Sequence, residues 1–131
     1  MDYFTSNAAQ IILLAFLANT FLQSGLDKIL DWKGNLGWLT GHFSKTLVKG
    51  MVPLLLGLVL LLEVASGVLS AIGIYEFLFS GESTVAFWGA VFSSVTLLVL
   101  LFGQRLAKDY DGARTIVIYL VPAVFLIYLL Q

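Results

Sequence analysis

The chain has 131 residues, 60% of them hydrophobic and only 11% charged. A soluble domain of that size cannot hide so much apolar surface, because most of its residues would lie near water. The composition therefore predicts an all-α integral membrane protein of one domain. A net charge of -1 leaves no basic field for nucleic acid. The lack of cysteine excludes disulfides, thiol relays and Cys-ligated metal sites, so no metal site is expected. The one histidine, His42, cannot supply both axial ligands of a haem. Redox chemistry would then require an organic cofactor such as quinone, or a partner protein.

Four apolar segments follow in chain order: residues 7–26, 51–75, 84–103 and 113–130. Each is close to the roughly 20 residues that cross about 30 Å of hydrocarbon. Backbone polar groups in lipid must be satisfied within the segment, so helices are predicted, joined in a four-helix bundle. No signal peptide is expected, because Asp2 and no Lys or Arg precedes the first apolar stretch.

All seven basic residues fall in two connections. Lys28, Lys33, Lys45 and Lys49 lie between the first and second spans, and Arg105, Lys108 and Arg114 between the third and fourth, Arg114 at the very start of the fourth. The positive-inside rule places both connections in the cytoplasm and both termini outside, in a bacterial inner membrane. Within the first connection Leu36, Leu39, Phe43 and Leu47 recur at spacings of three and four, one face of a helix. A short interfacial helix over residues 35–48 is predicted, with Trp32 and Trp38 at headgroup level. Pro122 falls inside the fourth span, where it should kink the helix or free one carbonyl.

The second span carries Glu63 near its centre. An ionised side chain at that depth costs at least about 2.5 kcal/mol. Such a group is paired, protonated or used. On the same face stand Ser66, Gly67, Ser70 and Gly73, small enough for a neighbouring helix to approach closely. The first span carries Asn19, Thr20, Gln23, Ser24 and Asp27 at spacings of three and four, a stripe expected to point into the bundle. The third adds Ser93, Ser94 and Thr96.

Counted from the cytoplasmic ends at about 1.5 Å per residue, Glu63, Asn19 and Ser94 reach similar depths. The expected polar site is thus Glu63 with Asn19, Gln23, Ser93 and Ser94. Lys28 and Arg105, counted the same way, fall too near the surface for direct pairing, although a long side chain or a water could bridge part of the gap. An isolated Glu63 would favour the neutral acid, able to donate its proton to Asn19 or to a ligand carbonyl. Two roles stay open for it: a hydrogen bond that holds helices together, or a proton-carrying or quinone-contacting acid. Asp27 and Lys28 read as interfacial anchors, and Lys108, Asp109, Asp111 and Arg114 as a solvated turn or a docking surface.

Two stretches resemble the DoxX family of small four-helix membrane proteins. Phe21-Leu22-Gln23-Ser24-Gly25-Leu26-Asp27-Lys28 resembles the family's glycine and lysine at the end of the first helix. Leu62-Glu63-Val64-Ala65-Ser66-Gly67, running on to Gly73, resembles its intramembrane glutamate followed by glycines. The family-like motif residues are Gly25, Lys28, Glu63 and Gly67, and the order and spacing match over nearly the whole chain. The resemblance implies a four-helix bundle linked, in some members, to quinone-dependent oxidation of sulfur compounds within a terminal oxidase. Ile74-Tyr75-Glu76 departs from the family, which often has a basic residue there, and no histidine lies within the membrane.

Three functions are compatible with these residues. The first is an accessory or stabilising subunit of a respiratory or redox-linked membrane complex, without catalytic activity of its own and with partner subunits on its outer faces. The second is a quinone-binding redox protein using Glu63, with Phe87, Trp88, Phe92 and Tyr119 around the headgroup. The third, weaker for want of a second relay residue, is a proton or small-solute transporter.

Overall fold

The computed structural model describes residues 2–131. The elements are α1 (Asp2–Ser6), α2 (Ala8–Leu30), α3 (Trp32–His42), α4 (Val52–Ser80), α5 (Thr84–Leu106) and α6 (Tyr110–Leu130), with a single 3₁₀ turn at Lys49–Met51 before α4. Four of these, α2, α4, α5 and α6, are long and apolar enough to cross a membrane. The protein is a multi-pass membrane protein and an all-α four-helix bundle. Each span runs beyond its predicted limits at one end or both, because polar residues such as Lys28 and Glu76 continue the helix past the apolar stretch.

The helix ends follow local chemistry. Pro53 sits in the first turn of α4, where its missing N–H removes no bond. Gly81 ends α4 in the left-handed conformation at φ 74°, open to glycine without a Cβ penalty. Asp31 caps α3 through the Gly34 N–H at 3.2 Å, and Asp109 caps α6 through the Gly112 N–H at 3.0 Å. Helix α6 runs continuously through Pro122.

Helix α4 packs against both α2 and α5, α5 packs against α6, and α2 meets α6 more lightly. The stripe of small residues on α4 makes these contacts tight. A Cβ added at Gly67 would lie 2.7 Å from Leu22, and one added at Gly73 would lie 2.6 Å from the Ala86 backbone. In the half of the bundle remote from α3, Leu14, Leu17, Phe21, Phe77, Ala90 and Leu126 form a buried apolar core.

The register of α2 on α4 sets which side chains meet at the basic end. Gly25 faces Val64 and Leu60, and Gly67 faces Leu22. This sets the end of α2 about seven residues, or roughly 10 Å, above the start of α4. Helix α3 fills the space below it, with the Trp32 indole over Gly57 and the Phe43 ring beside Gly103. The predicted interfacial helix is present, but it spans Trp32–His42 rather than 35–48. Residues 43–48 form turns that leave Leu47 94% exposed, so Leu47 is not on the packed face with Leu39 and Phe43. Trp32 is half-buried, and only Trp38 is fully at the surface.

Candidate functional site: a buried ion pair above an apolar cavity

Glu63 is buried, its side chain 3% exposed, and it does not stand alone. Lys28 Nζ lies 2.8 Å from Glu63 Oε1. Ser24 Oγ donates to Glu63 Oε2 at 2.6 Å, and Lys28 Nζ donates to Ser24 Oγ at 2.8 Å. The three side chains close a triangle. Ser24 and Lys28 are one helical turn apart on α2, which places both toward α4. The acid that the sequence leaves isolated is an ion-paired carboxylate. The expectation that Lys28 lies too near the surface fails because it assumes that α2 and α4 end level; the offset of roughly 10 Å carries Lys28 down beside Glu63.

The other expected partners are elsewhere. Asn19 and Gln23 are exposed on the outer face of α2, and Asp27 is exposed as well. Their spacing from Ser24 does fix a helix side, but it is the side turned away from the bundle. Ser93 is buried and donates to its own helix at Gly89 O, 2.7 Å away. Ser94 is buried with no hydrogen-bond partner for its hydroxyl, and so is Ser70. The polar neighbour on α5 is instead Thr96, whose hydroxyl lies 3.1 Å from that of Ser66. Each also points at a carbonyl of its own helix at 2.7 Å, so three hydrogen bonds share two protons.

Lys28 is 16% exposed, and the surface it exposes lines a cavity of about 310 Å³. The walls come from α3, α4 and α5, with Trp38, Leu39, Phe43, Leu56 and Phe102 among them. Lys28, Asn35 and Gln104 are its polar lining groups. An ammonium has three N–H donors. Nζ donates to Ser24 and lies against Glu63 Oε1, so these two partners do not use up its three donors. The pair has no net charge, so a neutral acceptor suits this donor better than a free anion would.

A latch closes the basic end. His42 Nε2 donates to Gln104 Oε1 at 2.8 Å and lies 3.8 Å from Asp109 Oδ2. Trp38 stacks on the His42 ring at a centroid distance of 4.5 Å. These contacts tie α3 to the end of α5 and the cap of α6. Of the charged cluster in that turn, Asp109 belongs to the latch, while Asp111 and Arg114 pair at 3.1 Å on the surface.

Sequence pattern does not single out His42 or Gln104 as site residues. The one signal for them is a polar Gln104 just past an apolar span and a histidine on the helix expected to cover it. The predicted aromatic pocket does not form. Trp88 and Phe92 face outward, and Tyr119 stacks on Phe16 at 5.7 Å. The aromatic residues at the cavity are Trp38, Phe43 and Phe102.

Compared with family models, curated proteins and solved structures, the chain matches none of them.

Proposed function

We propose that the protein is a DoxX-like membrane protein that binds a quinone-type lipid at its basic end. Lys28 carries this reading: held from behind by Glu63 and Ser24, it heads a cavity otherwise walled mainly by hydrocarbon. A quinone presents a neutral carbonyl to the remaining N–H and a ring to apolar walls, the mixture that small-molecule pockets favour. Glu63 then acts by positioning Lys28, not by touching the ligand. In this reading the basic end faces the cytoplasm of a bacterial inner membrane, in keeping with the one-sided placement of Lys and Arg. A proton or solute path through Glu63 has less support, because its carboxylate is closed off between Lys28 and Ser24. The accessory-subunit reading draws its support from the outer face of α2, where Asn19 and Gln23 are exposed.

The test is a titration of the purified protein with a short-chain naphthoquinone, read through quenching of tryptophan fluorescence. Saturable quenching is expected, absent in Trp38→Phe and kept in Trp88→Phe. The double variant Lys28→Met/Glu63→Gln removes the donor without leaving a bare charge. It should weaken binding at least about tenfold, the equivalent of one charge-assisted hydrogen bond. Unsaturable quenching, or equal affinity in the double variant, overturns the reading.

A further inference from the structure

The outer face of α2 carries a pattern that lipid does not require. Ile12, Ala15, Asn19, Leu26 and Ile29 are exposed on one face of α2 at coiled-coil spacings, with Leu22 at the edge of that face, where it also packs on Gly67 of α4. That is the seam of a coiled coil, with Asn19 at one of the two core positions of the heptad. Asn19 stands midway along the span, about 16 Å from either end of α2. Its amide makes no hydrogen bond among the described residues, nor does that of Gln23 one turn on. Two unpartnered amides thus face outward near the middle of a bilayer, where a polar group without a partner costs several kcal/mol.

We propose that this face is a homodimer interface in which α2 pairs with α2 of a second copy. The amide itself argues for this occupant. It carries both donor and acceptor, so it is its own complement. Identical chains insert with the same topology, so a two-fold axis along the membrane normal brings equal depths together. Asn19 then meets Asn19 of the partner, as a single core asparagine fixes register in a parallel coiled coil. Ala15, one turn away, keeps the helices close enough for the amides to reach. Gln23, on the flank of the seam, can bridge to the partner's backbone or to its amide.

The absence of cysteine makes the test direct. Single cysteines at Ala15, Leu26 and Ile29 are oxidised in intact membranes, with Leu61→Cys on α4 and Val121→Cys on α6 as exposed controls. Disulfide-linked dimers are expected at the three α2 positions and not at the controls. In mild detergent, Asn19→Leu should weaken the dimer by roughly three- to thirtyfold, and Asn19→Gln should largely restore it. Because Asn19 is exposed and its amide makes no hydrogen bond among the described residues, an unchanged circular dichroism spectrum serves as the control for folding. Dimers at the control positions, no dimers at all, or α2 cysteines that link only to a different protein would each overturn the proposal. So would a dimer unaffected by Asn19→Leu.

Discussion

In the half of the bundle away from α3, Leu14, Phe21 and Leu126 are fully or almost fully buried, and Gly73 lets α4 and α5 touch backbone to side chain. In the basic half there is a cavity of about 310 Å³, and an ion pair joins α2 to α4 beside the contact of Gly25 with Val64. The first half is held by shape, the second by charge and by a helix laid across its end. In a bilayer, where apolar burial between helices gains little over lipid, close packing and hydrogen bonds carry association. The two halves divide those means between them, and the cavity headed by Lys28 lies in the looser half.

Removing Lys28 should break the comparison most severely. Lys28→Met leaves Glu63 as an uncompensated buried charge and is expected to destabilise the protein by about 3–5 kcal/mol. Denaturant unfolding in detergent would measure it. Lys28→Met/Glu63→Gln should recover most of the loss, since replacing both partners of a buried pair is often nearly neutral. A double variant as unstable as the single one would mean that the pair has been given the wrong role.

A matched pair of glycine substitutions sharpens the contrast. Gly73→Ala forces a Cβ to within 2.6 Å of the Ala86 backbone and should cost about 1–3 kcal/mol. At Gly103 the nearest atom is the end of the Phe43 ring, 3.5 Å away. Gly103→Ala should be neutral or stabilise by up to about 1 kcal/mol, from helix propensity alone. Equal effects in thermal unfolding would show that the halves are packed alike. A modest loss is expected at the seam between them. Thr96→Val removes the hydroxyl beside Ser66 and should cost about 0.5–1 kcal/mol, because Ser66 retains its bond to Leu62 O.

The four spans, the glycine face of α4 and the intramembrane place of Glu63 are readable from residue order alone, because bilayer thickness and helical period are strong constraints. The partner of Glu63 is not. Finding Lys28 needs the axial offset of α2 against α4, which depends on how Gly25 and Gly67 seat against the facing helix. The direction of Asn19 and Gln23 escapes for a related reason. Periodicity gathers residues on one side of a helix without saying whether that side looks in or out, and the polar residues of α2 are divided between both. The cavity depends on the tuck of α3 beneath α2, a tertiary arrangement with no local pattern of its own.

The place of Lys28 two residues before the end of α2 has a consequence for biogenesis. A lysine that close to a helix end can stretch its ammonium to the headgroups while its span waits in the bilayer. Glu63, roughly 16 Å into α4, has no such escape. The chain emerges from the ribosome amino end first, so the cation that tolerates waiting is made before the anion that does not. When α4 inserts, its carboxylate arrives beside a counter-ion already in the membrane, and the pair can form as the second span leaves the translocation machinery.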